Sequence, residues 1–385
     1  MRGILLLSPS PLPTRQTLMQ LLNSLPTQLS DLPDSLQTSL QDIINRLVIQ
    51  SQHSIRHPDY KALELPESAV SRFEQLPSDL QDKLLKLQLS TFLYGIYYNG
   101  SLKNILALDG EGTNLRLNQN LENNTFLGVN IDFYERLHEN NTSGGYLSPD
   151  WRVVKEETDG SLAVHKGGLT LHIERDIHLQ PQDQVVSVGN SVSIKMPKNL
   201  VQNGFYLAVG NAGTANNHQD LVRVYFNLTP DGAVAVMNSL TTQLNAIPIS
   251  FTFKALYNPS DYGRYDSAVL YFNKSNYEAV SPVLERVYIQ NQSHFYEQVP
   301  LFTKLLAPGL ACAEEPNHKF SDQESFGMNR CHIIANALLD AWQHGNDTPI
   351  GRMTSILHHF SLQKIQLQCP YLNNNSKDIY TPLNY

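Results

Sequence analysis

The stretch that decides the fold is 221-LVRVYFNLTPDGAVAVMNSLTTQLNAIPISFTFKAL-256. At its two ends, apolar residues alternate with polar ones, which is typical of strands that bury one face. The exposed face of the first strand carries Arg223 and Tyr225, and that of the second strand carries Lys254. These three side chains are therefore the first candidates for a functional surface.

The middle of this stretch predicts a helix. Thr229 is a favourable cap, and Pro230 suits the first helical position. A strand–helix–strand unit usually returns the second strand parallel to the first. If the two strands are neighbours, the guanidinium, phenol and ammonium groups share one polar face.

The flanking sequence predicts an α+β protein. Residues 1–140 have apolar residues at helical spacing, whereas alternation begins at Trp151, with a hairpin turn at Asp159-Gly160. Asn- and Gly-rich stretches at 117–124 and 138–145 punctuate the chain, and the second predicts a boundary near residue 140. Further strands are predicted at Ser161–Lys166, Leu169–Ile173, Val185–Val188, Val192–Met196, Gly204–Val209 and Ser267–Phe272.

Composition excludes several classes of protein. The 385 residues have a formal net charge of −8, so a general nucleic-acid binder, which needs a basic face, is not expected. No apolar run reaches the roughly 18 residues that span a bilayer, and the opening apolar stretch is too short for a secretory signal. The three cysteines are widely spaced, which argues against a disulfide framework. We expect a cytoplasmic protein without membrane partners.

Cationic residues recur beyond the first strand pair. Arg264 precedes the predicted strand at 267–272, and Arg330 lies in the first turns of a long amphipathic helix that opens at Ser325. A helix N-terminus offers free N–H groups, so an arginine there suits a bound phosphate. No HExxH or Cys/His metal-ligand spacing occurs, and neither a metal nor a cofactor is expected. The pattern indicates an anionic substrate.

Each residue taken alone also has an ordinary explanation. An arginine or lysine on the outer face of a strand is usually solvated, and a tyrosine there is usually a surface strand former. Arg330 could simply pair with Glu324 or Asp322. These residues therefore indicate a functional site only when they are considered together.

A set of ordered motifs resembles the HopA-type effector family, which includes plant-pathogen type III effectors and the lyase components of class V lanthipeptide biosynthesis. The likeness covers about residues 145–375, which places a helical N-terminal region at 1–140 before a lyase-like α+β domain at 141–385. The motifs are DWRVV, DGSLAVHKGGLTL, NGFYLAVGNAG, RVYFNL, ISFTFKAL, GRYDSAVLYF, LFTKLLAPGLACAEEP, ESFGMNRCHIIANALLDAW and CPYLNNNS.

The resemblance implies a reaction and a role for each candidate. The family is distantly similar to phosphothreonine lyases, which remove phosphate from phosphoserine or phosphothreonine by β-elimination and leave a dehydro amino acid. Lys254 corresponds to the base, and Arg264 and Arg330 to phosphate-binding residues. Arg223 stands where the distant lyases have another basic residue. Tyr225 stands where they have the histidine that protonates the leaving group, which is a departure from their pattern.

Three functions remain open on the sequence. The first is a lyase that acts on a phosphorylated, ribosomally made lanthipeptide precursor, with a separate kinase and a cyclase as pathway partners. The second is a non-catalytic module that binds a phosphopeptide or a leader peptide. The third is an effector that acts on a host phosphoprotein. Lys166 and Lys304 also fall in the family motifs but have no assigned role.

Overall fold

The computed structural model describes residues 32–109, 128–215, 221–322 and 324–385. The predicted polar stretch at 117–124 and the first 31 residues lie outside the described residues. The described residues divide into two compact units. The first unit consists of residues 32–93, 106–109 and 330–370, and the second consists of 94–105, 128–215, 221–322, 324–329 and 371–385.

Helices and strands alternate in a mixed order, which confirms the predicted α+β class. The helices are α1 (Asp34–Arg46), α2 (Glu67–Glu74), α3 (Ser78–Phe92), α4 (Ile131–Asn140), α5 (Arg175–His178), α6 (Pro230–Asn245), α7 (Tyr277–Asn291), α8 (Phe326–Gln343) and α9 (Pro349–Leu362). The strands are β1 (Val48–Ser51), β2 (Ser54–His57), β3 (Tyr60–Glu64), β4 (Tyr146–Glu156), β5 (Leu162–Lys166), β6 (Leu169–Ile173), β7 (Ser191–Met196), β8 (Asn199–Gln202), β9 (Phe205–Val209), β10 (Leu221–Phe226), β11 (Phe251–Leu256), β12 (Ala268–Asn273), β13 (Lys304–Ala307) and β14 (Leu310–Glu314).

A seven-stranded antiparallel sheet forms the centre of the second unit. Its strand order is β13-β14-β10-β12-β11-β9-β8. Strand β12 pairs antiparallel with both β10 and β11, so the last two run parallel to each other without touching. The predicted parallel direction of the two strands is therefore confirmed, but the strands are not neighbours, because β12 lies between them.

One face of this sheet is the apolar core of the second unit. Val224, Phe253 and Leu270 lie in one cross-strand row of β10, β11 and β12 and are fully buried. Helix α6 contacts β11 and packs beside α7, where Asn291 Nδ2 donates to Ser239 Oγ at 3.1 Å. Thr229 caps α6 as predicted, because its Oγ1 accepts the backbone N–H of Gly232 at 3.0 Å. The apolar core therefore lies against one face of the seven-stranded sheet, and the polar residues of β10 and β11 lie on its opposite face.

A second sheet of the same unit has the order β6-β5-β4-β7 and contains the predicted hairpin. Asp159 Oδ1 accepts the N–H of Ser161 at 3.0 Å, and Gly160 has a φ of +85°, which closes the turn. The strand predicted at Val185–Val188 is wrong: no strand forms there, and Val185 is 97% exposed. Val186 packs against the core of this sheet, whereas Val185 and Val188 remain exposed, so the segment contributes one side chain to the core without joining the sheet.

The first unit corrects the prediction of an entirely helical N-terminal region. Strands β1, β2 and β3, which follow α1 and precede α2 in the chain, form a three-stranded antiparallel sheet. Each has only four or five residues, which is too short for a clear alternation in the sequence. Helix α9 of the same unit is tied to the end of α1, because Arg352 Nη1 donates to the carbonyl oxygens of Ile44 and Leu47 at 3.0 and 2.7 Å.

The two units do not follow the predicted boundary near residue 140. Helix α4 belongs to the second unit, where His138 Nδ1 lies 3.1 Å from the Tyr206 hydroxyl of β9. Residues 330–370 belong to the first unit, which contains the Arg352 contacts. Contacts distant in sequence set this division, so local composition does not reveal it. None of the helices in the described ranges has the length and apolar character to span a bilayer.

Candidate functional site

The second unit contains a cavity of about 790 Å³ over the polar face of the seven-stranded sheet. Four of the five predicted side chains line it, and residues from 315–322 and 324–325, after β14, form part of its wall. The aromatic lining residues are Tyr94, Tyr98, Phe205, Tyr225 and Tyr271, and the charged ones are Arg223, Lys254, Arg264, Asp266, Glu315, Lys319, Asp322 and Glu324.

Sheet register explains how the floor of this cavity forms. Directly paired residues project to the same face of a sheet. One row across β10, β12 and β11 contains Tyr225, Val269 and Lys254. With strands about 4.8 Å apart, the Cα atoms of Tyr225 and Lys254 are about 10 Å apart. Arg223, Tyr225 and Lys254 thus share one polar face even though their strands are not neighbours, because the register of β12 connects the two rows.

Lys254 is half-buried on this floor, with its ammonium group against aromatic rings. The Nζ atom lies 4.5 Å from the Phe205 ring centroid and 5.5 Å from that of Tyr271. Within the described ranges, Lys254 forms no salt bridge with a carboxylate. A cation–π contact holds the side chain in place without neutralising it. Lys254 is therefore positioned at the cavity and available to a ligand.

Arg223 is bound by a carboxylate that the sequence did not point to. Its Nε donates to Glu315 Oε2, and its guanidinium lies 5.2 Å from the Tyr271 ring centroid. Both partners of the ion pair are largely buried, with side-chain exposures of 12% and 5%. Burial raises the pKa of Glu315, but the charges of Arg223 and Lys319 outweigh it and hold that pKa below its ordinary value. Glu315 is therefore a carboxylate anion at neutral pH.

Arg264 forms a bidentate pair with Asp266. The Nε atom lies 2.6 Å from Oδ1 and Nη2 lies 2.9 Å from Oδ2. The same carboxylate accepts hydrogen bonds from the Tyr94 hydroxyl and Asn99 Nδ2, both at 3.3 Å. Burial raises the pKa of Asp266, but Arg264 and, less strongly, Lys254 lower it below its ordinary value. A fixed ion pair thus borders the cavity.

Tyr225 is only 2% exposed, although it lines the cavity. Its hydroxyl has no well-formed hydrogen bond among the described residues, and the Tyr98 phenol is its polar neighbour, with ring centroids 6.4 Å apart. Burial raises the pKa of Tyr225 far more than Arg223 and Tyr98 lower it. The phenol therefore remains protonated at neutral pH, and its hydroxyl is buried beneath the cavity lining.

Positive and negative side chains balance in the described lining of the cavity. Four cations (Arg223, Lys254, Arg264 and Lys319) face four acids (Asp266, Glu315, Asp322 and Glu324). The cationic pocket expected from the sequence is therefore partly neutralised by the chain itself. Lys254 is the lining lysine whose charge no described carboxylate directly offsets.

Arg330, the fifth predicted residue, lies in the first unit. It is the fifth residue of α8, fully buried, and its Nε donates to the carbonyl oxygen of Pro370 at 2.8 Å. Its predicted placement near the start of a long helix is confirmed, and its phosphate-binding role stays a prediction.

Sequence reasoning missed the residues that hold the cations in place. Asp266 directly follows the Arg264-Tyr265 pair in the chain, so its proximity to Arg264 was accessible. Glu315 is 92 residues from Arg223, and only the pairing of β14 with β10 brings them together. Phe205 and Tyr271 read as ordinary strand residues, and nothing local distinguishes them from core aromatics.

Residues 196–372 match the model of the HopA1 effector protein family. This confirms the family resemblance over that range. Comparison with curated proteins finds no match. Among solved structures, an effector protein from Pseudomonas syringae pv. tomato is 17% identical with a TM-score of 0.39, covering 64% of this chain and 81% of its own. One from pv. syringae is 16% identical with a TM-score of 0.41, covering 78% and 100%.

Proposed function

We propose that this chain, whose residues 196–372 match the HopA1 effector protein family, is a lyase that removes phosphate from phosphoserine or phosphothreonine in a peptide. The observation that carries the proposal is the position of Lys254 on the cavity floor, without a described carboxylate partner and with Arg223 and Arg264 lining the same cavity. A base and two guanidinium groups are what β-elimination of a phosphate ester requires.

The reaction proceeds by loss of two groups from adjacent carbons. Lys254, as the free amine, takes the proton from Cα, and the electron pair of that C–H bond forms the Cα=Cβ double bond. The Cβ–O bond breaks, and its electron pair leaves with the phosphate. The products are inorganic phosphate and dehydroalanine or dehydrobutyrine in the peptide.

Arg223 and Arg264 stabilise the charge that develops on the departing phosphate. Guanidinium groups form strong, directional hydrogen bonds to phosphate oxygens. Glu315 and Asp266 fix these groups before substrate binds, so little reorganisation is needed during the reaction. The negative charges of Glu315 and Asp266 weaken the attraction of the cavity for the phosphate dianion. In exchange, they hold the two guanidinium groups in a fixed geometry.

Tyr225 donates a hydrogen bond, and finally a proton, to the leaving oxygen. Its raised pKa makes it a weak acid, but a phosphate with a second pKa near 6 leaves with little assistance. The replacement of histidine by tyrosine at this position is therefore compatible with elimination.

The physiological substrate in this proposal is a ribosomally made precursor peptide. A kinase must install the phosphate that the lyase removes, and a cyclase would use the dehydro amino acid. Arg330 is proposed to contribute to phosphate binding, and Arg330→Lys, which keeps the charge, tests that role by the KM for the phosphopeptide.

The test is incubation with a phosphothreonine peptide, followed by mass spectrometry. The lyase predicts a mass loss equal to phosphoric acid and an alkene that adds a thiol. Lys254→Ala should abolish this loss while phosphopeptide binding persists. Lys195→Ala, an exposed strand lysine of the same unit, is the matched control and should be fully active. Loss of only the phosphoryl group, with a hydroxyl left behind, identifies a phosphatase and refutes the proposal.

The second candidate is a phosphopeptide-binding module that has lost catalysis. The balanced charges of the lining and the high pKa of Tyr225 favour it, because both weaken phosphate capture and proton donation. Under this alternative the wild-type protein binds the phosphopeptide but leaves its mass unchanged, and Lys254→Ala has no chemical step to remove.

A further inference from the structure

Lys319 shares the carboxylate of Glu315 with Arg223 on the cavity wall, and it has no role in the proposed reaction. Glu315 accepts hydrogen bonds from Arg223 Nε and from Lys319 Nζ, the latter at 2.5 Å. One buried carboxylate thus faces two cations, so this three-residue cluster has a net charge of +1. All three side chains line the cavity.

Arg223 retains most of its hydrogen-bonding capacity within this cluster. A guanidinium has five N–H donors, of which the Nε–H is used by Glu315. Within the described ranges, neither Nη atom of Arg223 has a protein acceptor, and neither is among the fully buried polar atoms without a partner, so the exposed 12% of the side chain faces the cavity. An anion in the cavity would provide the acceptors.

The backbone of Glu315 is anchored, so its carboxylate is a fixed point. Asn373 Nδ2 donates to the Glu315 carbonyl oxygen at 2.7 Å, and Asn373 Oδ1 accepts the N–H of Asn317 at 3.2 Å. Among the described residues, the Lys319 side chain is held at its ammonium end by Glu315, and it is 26% exposed. Lys319 can therefore keep its contact with Glu315 or turn toward a ligand without moving the wall.

We propose that Lys319 binds the substrate phosphate and that Glu315 is a positioning residue that directs Arg223 and Lys319 toward the same phosphate oxygens. This inference rests on the proposed function, because it names a phosphorylated peptide as the ligand. It adds a cation and an orienting carboxylate to the site.

The binding test compares a phosphothreonine peptide with its unphosphorylated counterpart, using the full chain and isothermal calorimetry. Lys319→Gln should reduce the preference for the phosphorylated peptide about tenfold, as expected for loss of one charge-assisted hydrogen bond. Lys319→Arg should retain the preference. Lys155→Gln is the matched control, because Lys155 pairs with Glu157 at 2.6 Å outside the cavity, and it should change nothing.

Glu315→Gln tests the positioning role through steady-state kinetics. Removing the negative charge strengthens attraction for phosphate, whereas releasing Arg223 disorders its geometry. We therefore expect kcat to fall about tenfold without a rise in KM. A variant that had merely lost folded protein would show the wild-type kcat per active molecule, determined by active-site titration with the peptide.

The outcomes separate this inference from the proposed function. If the wild type eliminates phosphate and Lys319→Gln keeps full phosphopeptide preference, the inference is overturned and the lyase stands. If Glu315→Gln raises KM and leaves kcat unchanged, the positioning role is overturned. A wild-type protein that neither prefers the phosphopeptide nor changes its mass overturns both.

Discussion

Asp266→Asn should destabilise the second unit strongly, because it removes the charge that compensates a buried arginine. Arg264 is 4% exposed, and its bidentate contacts to Asp266 measure 2.6 and 2.9 Å. The asparagine keeps one acceptor oxygen but presents an NH2 group to donors that include Tyr94. Breaking a buried ion pair from one side costs about 3–5 kcal/mol. We expect the free energy of unfolding to fall by about that amount.

The matched control is Asp231→Asn, which breaks an arginine–aspartate pair of the same unit at the surface. Arg136 Nη2 lies 2.7 Å from Asp231 Oδ1, with side-chain exposures of 50% and 73%. Exposed pairs of this kind contribute about 0.2–1 kcal/mol. Urea denaturation followed by circular dichroism measures both variants. Equal losses for Asp266→Asn and Asp231→Asn would refute the argument that burial controls the cost.

The stability that Asp266→Asn loses relative to wild type should depend on pH in a defined direction. The pKa of Asp266 is lowered in the folded protein, so its ionised form stabilises the fold. That contribution is fully present above the unfolded-state pKa near 4 and is lost as the pH falls through the lower folded-state pKa. The deficit of Asp266→Asn relative to wild type should therefore be constant from about pH 6 to 8 and shrink below about pH 4.

Two further variants probe the phenol and a strained turn. Tyr225→Phe should lower kcat about 100-fold but leave the urea midpoint unchanged, because the lost hydroxyl has no well-formed hydrogen bond among the described residues; an unchanged kcat would exclude the acid role. Gly309→Ala should unfold the protein at lower urea than Gly160→Ala. Both have positive φ, but an added Cβ at Gly309 would lie 2.0 Å from the Tyr296 carbonyl oxygen, whereas nothing lies within 4 Å at Gly160. Equal urea midpoints would contradict this.

Local pattern was sufficient to predict the polar face of the sheet. Alternation places Arg223 and Tyr225 on one side of β10 and Lys254 on one side of β11, and the burial of Val224 and Phe253 on the other side follows from the same period. Thr229 and Pro230 predicted the intervening helix, which the structure confirms. These features depend on residues close in sequence.

Strand order and compact units could not be predicted in the same way. The insertion of β12 between β10 and β11 depends on which hydrogen-bonding edges meet, and the local sequence of each strand is compatible with several partners. The assignment of residues 330–370 to the first unit similarly depends on contacts such as that of Arg352 with Ile44, which lies 308 residues away. The spacing of apolar residues along the chain carries no information about contacts between residues so far apart in the sequence.

The distinction between the two cavity arginines also appears only in the structure. Arg264 directs Nε and Nη2 at Asp266, whereas Arg223 directs Nε at Glu315 and has no acceptor at either Nη atom among the described residues. Two arginines that look equivalent as phosphate-binding candidates in the sequence therefore differ in what they can offer an anion. In the proposed reaction, Arg264 therefore contributes mainly its charge to stabilising the phosphate, and Arg223 contributes hydrogen bonds as well. The position of a carboxylate relative to each guanidinium decides this difference.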